Sequence, residues 1–105
     1  MKYKLRIAPK AQEDIENIGC YIAKDKPNAA IKMVSKIYDV FDLLTENPSI
    51  GGSVQKRYGI SSDFLFLLEA PYIVFFQIES DYISIYRVLD GRSDYLTKLG
   101  LTAKK

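Results

Sequence analysis

The chain contains no histidine and a single cysteine among its 105 residues. Without histidine it lacks the side chain that most often moves protons near neutral pH. One thiol cannot close an internal disulfide, and without histidine or a second cysteine the chain lacks the nitrogen and sulfur ligands on which zinc and most other transition-metal centres depend, so none is expected. No cofactor is expected. No apolar stretch is long enough to span a bilayer, so no membrane association is expected. The N-terminus, MKYKLRIAPK, alternates instead of running apolar as a secretory leader would. A reduced cytoplasmic location is the default expectation.

The apolar fraction is 48%, ordinary for a globular chain, and the length predicts one domain over 1–105. Net charge is +2, unevenly spread. Residues 9–47 carry five Lys/Arg and seven Asp/Glu, a balance of −2; the rest carry ten and six, a balance of +4. The basic part could be a nucleic-acid footprint. A mixed, solvated surface is the plainer alternative.

Residues 2–8 alternate: Tyr3, Leu5 and Ile7 against Lys2, Lys4 and Arg6. This is the period of a half-buried strand. Pro9 suits the first turn of a helix. Ala11, Ile15, Ile18 and Ile22 then follow at helical spacing, with Glu13, Asp14 and Glu16 toward the end where negative charge suits the dipole. Gly19 on that side would admit a neighbouring helix, and Cys20 reads as a small packing residue. KDKPN separates this helix from a second one over 27–46, ended by Pro48. Its stripe is Ala30, Val34, Ile37, Phe41 and Leu44. Met33 and Val40 widen it on one side, Ile31 and Tyr38 on the other. That arc is wider than one core-facing stripe needs, so it either packs on both a helix and a sheet or leaves a strip for a partner chain.

After the turn cluster NPSIGG, strands are predicted over 53–58, 63–70, 72–79 and 82–89. Short linkers make neighbouring strands antiparallel hairpins. LFLLEAPYIVFF is apolar at both parities, so these strands are covered on both faces or paired with another subunit. LTKLGLTAKK should form a last helical turn. The expected fold is α+β, in the order β-α-α-β-β-β with room for one more strand. Its helical hairpin packs on one face of an antiparallel sheet.

APKAQEDIENIGCYIA after a leading strand, LLTENPSIGG, YIVFFQIE and ISIYRVLDGRSDY stand in an order that resembles the RelE/ParE superfamily of toxins from bacterial type II toxin–antitoxin systems. The match spans roughly residues 3–95, through loose motifs: Ala11 and Asp14 before Ile15, Tyr21-Ile22, Pro48 with Gly51, Tyr72 to Phe76, and the arginine-bearing end. The resemblance implies a small plasmid-stabilising toxin neutralised by a cognate antitoxin. Ile31 and Tyr38 would be antitoxin-binding. A toxin–antitoxin hetero-oligomer or a dimer is the expected assembly. ParE-like members inhibit DNA gyrase; RelE-like members cut mRNA, usually on the ribosome. The helical hairpin and the NPSIGG turn look more like the ParE side. Two departures point the same way. Asp90 stands where members often have a histidine, and Phe64-Leu65 stands where many have an arginine. Both remove groups that could bind or cut a phosphodiester, and they leave a degenerate, non-toxic member as a further alternative.

Metal-independent RNA cleavage would need a base, a cationic clamp and an acid. Asp90 could be the base, Arg87 and Arg92 the clamp with Lys56 and Arg57, and Tyr95 the acid or a stacking platform. As the plainer alternative, Asp90-Gly91 forms a turn and Arg87 pairs with Asp90 or Asp94. The same Lys56, Arg57, Arg87 and Arg92 would contact a protein target if the chain is no enzyme.

Overall fold

The computed structural model describes residues 2–101. Strand β1 (Lys4–Ile7) leads into helices α1 (Pro9–Ala23) and α2 (Pro27–Glu46). A 3-10 turn (Pro48–Ile50), the two-residue strand β2 (Gly52–Ser53) and helix α3 (Val54–Tyr58) follow. Strands β3 (Leu65–Glu69), β4 (Tyr72–Glu79) and β5 (Tyr82–Asp90) precede a last turn, α4 (Tyr95–Lys98). Residues 102–105, the end of the expected helical tail, lie outside the described residues.

The two long helices form where the apolar spacing predicts, each with proline in its first turn. A Cβ on Gly19 would stand 3.3 Å from Val34 Cγ2, so glycine permits the close approach of α1 and α2. Ile15, Ile18, Ile37, Phe41 and Leu44 press onto Val74, Phe76, Ile83, Ile85 and Val88 of the sheet. Burying such side chains contributes roughly 1.5–3 kcal/mol each, the main stabilising term here. Cys20 is a correction: it is exposed, because one residue past Gly19 the helix has turned it off the buried stripe.

Three further expectations change. The sheet is mixed, in the order β1-β5-β4-β3-β2, because β1 runs parallel to β5. A parallel neighbour needs a long crossover, and the intervening helices and strands supply one. The segment predicted as a strand over 53–58 is strand only at Gly52–Ser53 and then turns helical. Ser53 Oγ accepts from Lys56 N at 3.2 Å, a helix cap that overrides the strand reading. Finally, β5 pairs Phe75 with Arg87 but Phe76 with Ile85, leaving Tyr86 as an extra residue. The bulge breaks the alternation. Ile83, Ile85 and Val88 face the helices, while Leu89 belongs to the opposite face.

That opposite face explains the doubly apolar β4, buried from Tyr72 to Phe76. Val54, Ile73, Phe75 and Leu89 form a second core there, covered by Tyr58, Phe66, Tyr95, Leu96 and Leu99 of the chain itself. The end near β1 stays open and polar. There Lys4 pairs with Asp81 (3.5 Å), Arg6 with Glu79 (3.8 Å), and Arg6 stacks 3.9 Å over the Tyr82 ring.

Candidate functional site

The bulge at Tyr86 delivers Arg87 to the edge of β5, past the last residue paired with β1. Its partner is neither Asp90 nor Asp94 but Asp14 of α1, a correction to the local reading. Nε and Nη2 donate to the two carboxylate oxygens at 2.7 and 2.9 Å. The same carboxylate accepts from Val88 N at 3.0 Å, standing in for the strand that β5 lacks there. Asp14 lies beyond the first turn of α1, so its task is this fork and not the helix dipole. Arg87 Nη1 reaches Lys98 O at 3.4 Å, which ties α4 to the same edge. The bond to Asp14 pushes the guanidinium's pKa above its ordinary value, so the charge is permanent but committed.

The turn after β5 is built locally. Asp90 Oδ1 accepts from the backbone N and Nε of Arg92 at 2.8 and 2.9 Å, and Oδ2 from Nη2 at 2.7 Å. Ser93 donates to Asp90 O, and Gly91 N donates to Pro71 O at 2.8 Å. A Cβ on Gly91 would stand 3.2 Å from that carbonyl, so the turn lies tight against the β3–β4 link. The Arg92 side chain, then its backbone N–H, holds the Asp90 carboxyl down at about 2. A carboxylate that weakly basic is a poor general base at pH 7.

The turn drops Tyr95 onto Phe75 (centroids 5.7 Å apart) and against Tyr58, whose hydroxyl it meets at 2.8 Å. That hydrogen bond, followed by burial, raises the Tyr95 pKa. Arg57, Tyr58, Phe66, Leu68, Gly91 and Tyr95 wall a cavity of about 460 Å³. The structure therefore brings Arg57, Tyr95 and Gly91 to one lip, with exposed Lys56 beside Arg57. The Arg92 side chain, bound to Asp90, lies instead toward Tyr72 and Tyr21. Arg87 is held apart by Asp14. Phe64 packs edge-on against Tyr86 at 5.4 Å, and Leu65 packs against the helix-facing core.

Ile31 and Tyr38 line a separate feature, an apolar trough on the outer face of the helical hairpin. Ile31 is 68% exposed and borders a hollow of about 400 Å³ with Gly19, Ala30 and Val34. Tyr38 borders the adjoining hollow with Gly19, Cys20, Ala23 and Val34. Its hydroxyl is held by Gln12 at 3.1 Å. Among the described residues no group of three or more acidic or cysteine side chains could hold a metal ion, and no helix is long and apolar enough to cross a membrane.

Sequence reasoning missed Asp14 as the partner of Arg87 and Tyr58 as the partner of Tyr95. The position of Asp14 beside the apolar stripe gives no local signal for a contact 73 residues away. Tyr58 was hidden by the strand reading of 53–58.

The expected result for Asp90→Asn follows from the turn. Its folded-state value lies below the ordinary carboxylate value near 3.8, so its contribution is present above that value and lost as pH falls toward 2. Arg92 is 75% exposed, so solvent screening keeps the effect small. Denaturation curves should separate the variant from wild type at pH 7 and superpose near pH 2.

A family model described as the ParE toxin of type II toxin–antitoxin system, parDE, matches residues 5–95. "Putative toxin Y4kP" of Sinorhizobium fredii (strain NBRC 101917 / NGR234) is 33% identical over 92 residues, covering 88% of this chain and 92% of that one. Among solved structures, the chromosomal ParDE TA system from P. aeruginosa superposes with a TM-score of 0.71 at 22% identity, over 85% of this chain and 96% of its own. The toxin–antitoxin complex RelBE2 from Mycobacterium tuberculosis gives 0.59 at 16% identity, over 86% and 99%. Both share the fold.

Proposed function

The chain belongs to the ParE toxin family of type II toxin–antitoxin systems, and on that premise we propose that it acts by binding a protein target, DNA gyrase, and is silenced by an antitoxin. One observation carries the choice of binding over cleavage: the groups an RNase would use are already engaged. Asp90 is neutralised by Arg92, Arg87 by Asp14, and Tyr95 shares its hydroxyl with Tyr58. A cleaving site needs an acid and a base tuned toward the working pH. Here the carboxyl sits near 2 and the phenol is pushed above its ordinary value, both away from neutrality.

The target surface takes in the lip of Lys56 and Arg57 and, across the turn after β5, the exposed Arg92, with Arg87 as the post that fixes this end of the sheet. The antitoxin seats on the hairpin trough, where Ile31 and Tyr38 flank a floor of small residues suited to the apolar face of a partner segment. The solved relatives from P. aeruginosa and M. tuberculosis carry the names of two-component toxin–antitoxin systems, which supports a hetero-oligomer. A supercoiling assay tests the target: purified protein should inhibit gyrase at micromolar excess, and added antitoxin should restore the reaction. Undiminished supercoiling at that excess would remove gyrase from the account.

A further inference from the structure

Among the described residues the lip holds two cations without a carboxylate partner, Lys56 and Arg57, and of these Arg57 lines the cavity. Arg57 lies in the last turn of α3, is exposed, and reaches only the Tyr58 ring, 5.9 Å from its guanidinium. It opens on the 460 Å³ cavity, whose walls include Phe66, Leu68 and Ile73. Beside it the Tyr58 and Tyr95 hydroxyls lie 2.8 Å apart. Two phenols have two protons; one is used between them and the other remains free to donate.

The backbone of β3 adds a second open feature at the same place. β2 covers β3 only at Leu65 and Phe66. Val54 N donates to Phe64 O, so Phe64 and Phe66 turn their backbone groups toward β2. Antiparallel alternation then turns the N–H and C=O of Leu68 outward, just beyond the last pair. Its side chain is 59% exposed on the cavity wall.

We propose that this cavity takes an acidic side chain of an extended peptide, whose backbone pairs with Leu68 while its carboxylate meets Arg57 and the Tyr58–Tyr95 hydroxyls. The site rests on the reading of the lip as a protein-binding surface and names what that surface recognises. Charge favours an acidic occupant, since the residues outside 9–47 carry a balance of +4. An extended peptide fits better than a nucleic-acid strand for two reasons. A sugar–phosphate chain has no amide to pair with Leu68, and strand-tracking sites set several cations in a row along the backbone, whereas here Lys56 and Arg57 are adjacent on one turn and Arg92 is taken by Asp90.

The test uses the full chain with three probes: a hexapeptide alternating glutamate and leucine, its lysine–leucine counterpart, and hexauridylate. Titration calorimetry gives affinity, and amide chemical shifts give the location. The glutamate peptide should move the amides of Arg57, Leu68 and Tyr95. Arg57→Gln should weaken it by about tenfold or more, with little change in Tm because the only internal contact of Arg57 among the described residues is an exposed one with the Tyr58 ring. Equal binding by the lysine peptide, tighter binding of hexauridylate at the same amides, or equal affinity in Arg57→Gln would overturn the site. If the glutamate peptide moves none of the three amides while gyrase is still inhibited, the site is wrong and the target reading stands.

Discussion

Replacing Asp14 by alanine is expected to cost about 3–5 kcal/mol of folding stability. The side chains of Asp14 and Arg87 are only 12% and 17% exposed, so little solvent is available to take over when one partner is removed. The variant leaves a guanidinium without its counter-charge and Val88 N without its acceptor. It also loosens α1 from β5 and, through Lys98 O, α4 from the same edge. Domains of this size have total stabilities of about 5–15 kcal/mol, so the loss is a large fraction. Tm should fall by more than about 10 °C. The double variant Asp14→Leu/Arg87→Leu should recover much of it, because no unpaired charge remains and only Val88 N still lacks its acceptor. Equal destabilisation by the single and double variants would show that packing, not charge, dominates at this edge.

A loss of similar size, about 3–5 kcal/mol, is expected for Phe76→Ala. Phe76 is fully buried in the centre of the sheet, on the face that receives the helical hairpin. The space around it is closed from a second side. A Cβ on Gly51 would come within 2.5 Å of Phe76 Cζ, so the NPSIGG turn is already in contact with the ring. Neighbours so confined cannot collapse into the vacated volume, and the cavity contribution adds to the lost transfer energy. Urea denaturation should show a lower midpoint with an unchanged slope. A midpoint within about 1 kcal/mol of wild type would mean that the site relaxes.

The elements with long regular periods were legible in the sequence. The stripes of α1 and α2 span four or more turns each, and tertiary packing uses them as the spacing predicts. Short elements were not. α3 has five residues, too few for a period to show, and its only sign was Ser53 three residues before Lys56. The partner of β1 could not be read either, since parallel pairing with β5 joins residues almost eighty positions apart. The polar lip divides along the same line. The Asp90–Arg92 turn was legible because its donors and acceptor lie within two residues. The place of Arg87 was not. One bulged residue at Tyr86 shifts every later side chain, and alternation alone groups Arg87 with Ile83, Ile85 and Leu89.

The most direct test of the central claim, that this lip binds and does not cut, is a map of mRNA 5′ ends after brief induction in translating cells without antitoxin. The account predicts growth arrest with no new 5′ ends relative to an uninduced control. New ends at defined codon positions that vanish in Arg92→Ala and Tyr95→Phe would contradict it, and would assign to those two residues the chemistry that their internal bonds now argue against.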